Sequence, residues 1–189
     1  MSLRTFIALD LDADLRSRVG AIADAVNSSD AKVRWTDPAQ LHVTLSFLGD
    51  VPDNMMVQVC SAVADVSKRI EPFEFEVRGV ACVPAQGGQL RMFWVGIADP
   101  TGRLAQLHDT LAEALAELGF RPEARRFSPH ITLGRVKSAR DAQALRERMA
   151  VYRDEQFGLQ YAGQVVTYTS MLTPTGPIHT AAAHAKLGG

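Results

Sequence analysis

The pattern His-x-Thr-Leu occurs twice, as His42-Val43-Thr44-Leu45 and as His130-Ile131-Thr132-Leu133, the second copy offset from the first by 88 positions. Each copy lies in an apolar run with strand composition, Leu41 to Leu48 and Pro129 to Lys137. Side chains of a strand alternate between its two faces. His42 and Thr44 therefore point one way and Val43 and Leu45 the other, and the second copy repeats the arrangement. The apolar pair anchors in a core, and the polar pair is left on the opposite face of the sheet. Two such strands in the two halves of one chain predict a duplicated lobe whose copies face one cleft.

The rest of the chain supplies more strands and several helices. Arg4 to Asp10, Lys32 to Thr36, Phe73 to Val77, Leu90 to Ile97 and Gly163 to Leu172 read as strands. Ala13 to Asn27 carries Leu15, Val19, Ile22 and Val26 at helical spacing, and Asn27-Ser28-Ser29-Asp30 breaks it. A helix after Pro52 turns Met56, Val59, Val63 and Val66 inward until Pro72 stops it. Residues 103–118 form the clearest helix, with a stripe of Leu104, Leu107, Leu111, Leu115 and Leu118 closed by Gly119. Arg140 to Ala150 is a short polar helix, Asp37-Pro38 a turn, and Pro174-Thr175-Gly176-Pro177 another. Pro84 to Gln89 reads as a flexible hairpin loop. Strands and helices do not alternate strictly, which favours an α+β fold over a doubly wound sheet. No linker divides the chain, so residues 1–189 are expected to form a single domain.

Two imidazoles suit acid–base chemistry near pH 7, because one can be neutral while the other carries a proton. Threonine hydroxyls can donate to an oxygen on which negative charge builds. That set needs no strong nucleophile and no metal, and it suits cleavage of a phosphodiester. An anionic substrate is also suggested by the stretch from Arg121 to Arg140, which holds Arg121, Arg125, Arg126, Arg135, Lys137 and Arg140 against Glu123 alone. Arg135 lies closest to the second motif. It stands five residues after His130, as Phe47 stands five residues after His42, so regular alternation places both on the wrong face. A bulge at Gly134 would reset the parity for Arg135. Phe47 is a candidate to stack on a base, or a plain core residue.

Other classes are disfavoured. With 20 Lys+Arg against 21 Asp+Glu the net charge is −1, so there is no general basic coat for nucleic acid. Two cysteines, Cys60 and Cys82, make neither a disulfide framework nor a zinc site and read as buried thiols in a reducing compartment. Phe6-Ile7-Ala8-Leu9 is too short for a signal peptide, and no apolar run reaches membrane-spanning length, so a cytoplasmic protein with no membrane contact is expected. No phosphate-binding glycine loop or dinucleotide turn is present, and no cofactor is expected. His108 reads as a helix-face residue, His184 as structural, and Trp35 and Trp94 as core. His179 is favoured as structural, with cleft lining as its other reading.

The ordered set of motifs resembles the two-histidine phosphoesterase superfamily, and within it the RNA 2′,3′-cyclic phosphodiesterases also called 2′-5′ RNA ligases. The resemblance covers Arg4 to Asp10, Val33-Arg34-Trp35-Thr36, Leu41 to Gly49, Trp94-Val95-Gly96, Arg126 to Arg135 and Ser170 to Pro177. It implies a bilobal fold of two antiparallel sheets with pseudo-twofold duplication around a central cleft, helices outside. It implies metal-free hydrolysis of RNA 2′,3′-cyclic phosphate ends to 2′-phosphates. His42, Thr44, His130 and Thr132 match the catalytic residues, Arg135 a substrate phosphate contact, and Phe47 a position against the terminal base. His179 departs from the family pattern, where a tyrosine or another bulky residue is expected. The expected partner is RNA with a cyclic phosphate end, or a small cyclic nucleotide, and the self-contained fold is compatible with a monomer. Two other readings stand beside hydrolysis: the reverse joining of RNA ends through a 2′-5′ linkage, and a non-catalytic module that binds RNA ends.

Overall fold

A computed structural model of the chain describes residues 2–26, 31–121, 126–174 and 176–189. The expected break at Asn27-Ser28-Ser29-Asp30, Glu123 and Arg125 of the basic stretch, and Thr175 of the last turn lie outside these residues. The chain runs β1 (Ser2–Asp10), α1 (Ala13–Val26), β2 (Ala31–Trp35), β3 (His42–Pro52), α2 (Met56–Ser67), β4 (Phe73–Val83), β5 (Met92–Ala98), α3 (Arg103–Glu117), β6 (His130–Ala139), α4 (Ala142–Ala150), β7 (Gln156–Ala162), β8 (Gln164–Leu172) and β9 (Pro177–Lys186). The α+β reading holds. Two strands, β7 and β9, are additions to the sequence reading.

The strands pair antiparallel in the order β7-β4-β5-β6-β3-β1-β8-β9, with β2 attached to β6. The sequence reading expects two sheets. Eight strands instead make one continuous, curled path, with β2 branching from β6, because β6 and β3 remain joined, at the single residue pair Val43–Ile131. The register explains why the joint is so narrow. Ile131 of β6 pairs with Val95 of β5 on one side and Val43 of β3 on the other. By Gly134, the same edge of β6 is taken by Trp35 of β2. The sheet thus forks between β2 and β3, next to the second motif.

Helices cover the faces away from the fork. α2 and α3 pack on each other and on β3, β8 and β9, whereas α1 and α4 lie against β4, β6 and β7. The leucine stripe of α3 behaves as its spacing dictates: Leu104, Leu107, Leu111 and Leu115 are buried. Each buried leucine contributes about 1.5–3 kcal/mol of apolar transfer. Gly134 is buried where β2 crosses closely, since a Cβ there would stand 2.8 Å from Cε3 of Trp35. Among the described residues no helix is long and apolar enough to cross a membrane.

Candidate active site

Both motif strands put their apolar residues into the core. Val43 and Ile131 are fully buried, and Leu45 and Leu133 nearly so. Counting outward from the Val43–Ile131 pair in antiparallel register sets His42 opposite Thr132 and Thr44 opposite His130. All four polar residues then share the face opposite the two buried aliphatics. Diagonal neighbours in such a ladder have Cα atoms about 7–8 Å apart, which is the relation between the two histidines.

The parity problem at Phe47 and Arg135 resolves in the same way twice. On β3 the partners of Ile7 and Ala8 are Ser46 and Thr44, so Leu45 is the extra residue of a bulge. On β6 the partners of Phe93 and Trp94 are Gly134 and Thr132, so Leu133 is the extra residue. The two motifs are bulged at the same leucine. Each bulge shifts the residues beyond it by one position, and Phe47 and Arg135 both line the cavity that also exposes His42, Thr44 and Thr132.

The two histidines are also held alike. Nδ1 of His42 donates to the Gln40 carbonyl at 2.7 Å, and Nδ1 of His130 donates to the Ser128 carbonyl at 2.7 Å. A carbonyl accepts only, so Nδ1 carries the proton in each neutral ring and Nε2 keeps the lone pair. Nε2 of His42 meets the Thr44 hydroxyl at 3.1 Å. An aromatic ring flanks each imidazole: Phe6 stacks on His42 at 4.9 Å between centroids, and Trp94 lies 4.2 Å from His130. Burial pushes the pKa of His42 below its ordinary value of 6.5. The Gln40 carbonyl and Asp10 oppose that shift, and the charge of His130 adds to it. Burial also lowers His130, with the Ser128 carbonyl opposing and Arg135 adding to the shift. Asp10 is the register partner of His42 and accepts a 2.7 Å hydrogen bond from the Tyr168 hydroxyl, whose own pKa is driven up by burial and by Asp10.

The cavity has a volume of ≈ 860 Å³ and draws its walls from β1, β2, β3, β6, β8 and β9. Arg4, Arg34 and Arg135 line it, with Asp37 as the one acidic lining residue among those described. His130 does not line the cavity directly; its ring is half-buried against Trp94. Of the basic stretch only Arg135 reaches this site among the described residues, and Arg121, Arg126, Lys137 and Arg140 are exposed elsewhere.

Several sequence expectations need correction. Trp35 and Trp94 are half-buried, the first as a cavity wall stacked on Phe93 and the second beside His130. Cys60 and Cys82 are half-buried. The loop after β4 is pinned, since the Arg146 guanidinium donates to the carbonyls of Pro84, Ala85 and Gly87. The largest revision concerns His179. It lies on β9, lines the cavity, stands edge-on to His42 at 5.6 Å between centroids, and meets Phe6 at 4.8 Å. Burial and the neighbouring His42 bring its pKa down to about 4, and its Nδ1 is buried without a hydrogen-bond partner among the described residues. The one signal for this in the sequence is its departure from the family pattern.

The fold is α+β, built on a curled antiparallel sheet, and the family match and the relatives' names place the chain among phosphoesterases. It belongs to the 2′-5′ RNA ligase superfamily, whose profile matches residues 11–162. It is 37% identical over 180 residues to an RNA 2′,3′-cyclic phosphodiesterase of Methanothermobacter thermautotrophicus, covering 95% of this chain and 96% of the relative. An enzyme of the same name from Archaeoglobus fulgidus is 32% identical over 177 residues, with 94% and 96% covered. Among solved structures, TT0787 of Thermus thermophilus superposes with a TM-score of 0.84 at 23% identity, covering 98% of each chain. E. coli LigT, in a complex with 3′-AMP, superposes with a TM-score of 0.80 at 22% identity over 100% of each chain. These structural likenesses bear on the fold.

Proposed function

We propose that this chain is an RNA 2′,3′-cyclic phosphodiesterase that opens the cyclic phosphate to a 2′-phosphate through His42, Thr44, His130 and Thr132. The observation that carries this reading is the matched tethering of the two imidazoles. Each gives its Nδ1 proton to the carbonyl two residues earlier and leaves Nε2 for chemistry, on strands joined at one residue pair. The names of the relatives agree with it.

In the reaction, water attacks phosphorus while Nε2 of neutral His130 takes its proton. The bond from phosphorus to the 3′ oxygen breaks, and Nε2–H of protonated His42 delivers a proton to that oxygen. The products are a 2′-phosphate and a 3′-hydroxyl. Burial lowers both imidazoles, and their charged neighbours act on them in opposite directions. Asp10 supports the protonated form of His42, whereas Arg135 disfavours a proton on His130. Thr44 and Thr132 donate to the non-bridging phosphoryl oxygens, Arg135 pairs with their charge, and Phe47, which is 54% exposed, lies against the terminal base. One chain supplies every group, as a single domain with the two motifs related by a pseudo-twofold axis through the Val43–Ile131 pair.

The test is hydrolysis of an RNA ending in a 2′,3′-cyclic phosphate, with the product isomer identified. His42→Ala and His130→Ala each lower turnover by roughly 10²–10⁴ without unfolding the protein. Wild-type activity survives EDTA. Near wild-type turnover by either variant, or a 3′-phosphate product, contradicts the scheme. Supplying a 5′-hydroxyl RNA end in the same assay measures joining against hydrolysis.

A further inference from the structure

Arg135 is engaged by the reaction just described, but the cavity holds two more guanidinium groups, from Arg34 and Arg4. Arg34 is the direct cross-strand partner of Arg135. Side chains so placed have Cβ atoms about 4.5–5.5 Å apart, and like charges there destabilise a sheet. Arg34 is half-buried, so its charge is also partly desolvated. None of the ion pairs or side-chain hydrogen bonds among the described residues involves Arg4, Arg34 or Arg135. The one acidic lining residue among those described, Asp37, already accepts the Ala39 backbone N–H at 2.9 Å.

The position of Arg34 is equally pointed. It extends from β2 to the turn before β9, where a Cβ on Gly176 would stand 2.7 Å from its Nη2. The guanidinium thus reaches from β2 to the segment leading into β9, on the other half of the sheet. Arg4 comes from that other half. It stands two residues along β1 from Phe6, the ring stacked on His42, a step of about 7 Å. A cyclic mononucleotide brings a single negative charge, which Arg135 matches. That leaves Arg34, set beside a like charge, and Arg4, whose register partner is Asp50, for any further phosphates that a longer chain brings.

We propose that Arg34 and Arg4 form a subsite for the internucleotide phosphates leading to the cyclic end, so that the cavity selects an RNA chain over a single nucleotide. This rests on the phosphodiesterase reading for which phosphate is terminal. The fork in the sheet holds the terminal phosphate, and the nucleotides before it leave the cavity between Arg34 and Arg4.

Equilibrium binding of the two product forms tests the subsite without turnover: a nucleoside 2′-monophosphate and a tetranucleotide ending in a 2′-phosphate, titrated against the full chain at several KCl concentrations. The tetranucleotide binds with the steeper dependence of log affinity on log salt. Arg34→Gln weakens tetranucleotide binding about ten-fold more than mononucleotide binding and reduces the salt slope by about 0.7, the value for one contact to single-stranded nucleic acid. Arg4→Gln acts in the same direction, and Arg34→Lys retains most of the slope. Equal losses on the two ligands, or parallel salt slopes in the wild-type protein, overturn the subsite. Failure of the phosphodiesterase reading is separate, since it shows as no conversion of cyclic-phosphate RNA to 2′-phosphate, while the binding comparison still decides the role of Arg34.

Discussion

Replacing Thr44 by valine removes one hydroxyl and almost nothing else. The side chain keeps its β-branched shape on β3, so the strand and its bulge are preserved. What is lost is the contact at 3.1 Å with Nε2 of His42 and, in the proposed reaction, a donor to the phosphoryl oxygen. The folded state loses one half-buried hydrogen bond, about 1 kcal/mol, which moves Tm by about 2–4 °C in a chain of this length. The transition state loses a pre-aligned donor, worth roughly 10²–10³ in kcat. The two magnitudes differ enough to be separated. Steady-state hydrolysis of a cyclic-phosphate RNA, run beside thermal unfolding, gives a kcat lowered by about two to three orders of magnitude with KM changed only a few-fold. A kcat within about three-fold of wild type in a folded protein refutes the assigned role of the hydroxyl. So does a loss of activity that follows the unfolded fraction.

Other perturbations give equally definite outcomes. Gly134→Ala places a methyl 2.8 Å from Trp35, 3.1 Å from Val33 and 3.2 Å from the Arg34 carbonyl, so overpacking destabilises by about 1–3 kcal/mol, read as a lower midpoint in urea. Burial lowers the pKa values of both motif histidines, so the free enzyme loses its protonated acid below the usual 6.5. The profile of kcat/KM against pH therefore peaks on the acid side of about 6.5 and declines by pH 8; a maximum at alkaline pH contradicts the pairing. His179 is neutral in both folded and unfolded chains above 6.5, and on acidification the unfolded chain takes the proton first. Stability therefore falls between pH 6.5 and about 4, and His179→Gln flattens that part of the Tm profile.

The parts of the molecule that are legible in the sequence are those with strong local periodicity. The leucine stripe of α3 and the alternation of both motifs carry over directly, because core burial enforces the same spacing that marks them. β7 escapes the sequence pattern because Gly158, with φ at 133°, and the buried Gln160 interrupt its apolar alternation. Gln160 is satisfied inside, accepting the backbone N–H of Asp12 at 2.8 Å. β9 escapes it because Ala181-Ala182-Ala183 has weak strand propensity, and it forms by pairing with β8 along its length. His179 carries little weight in the sequence for that reason: without a strand at 177–186 nothing brings it to His42. Phe47 and Arg135 are candidates in the sequence, but regular alternation puts both on the wrong face, since the bulges that aim them depend on partner strands.

The one-pair joint at Val43–Ile131 makes the gap between the imidazoles a mechanical gauge of the whole molecule. The two groups of strands meet in the ladder at that one pair, so the spacing across the cleft depends on how each group packs on its own helices. On the proposed reaction, repacking beneath α3 or α1, remote from every reacting atom, is expected to change turnover before it changes the unfolding temperature.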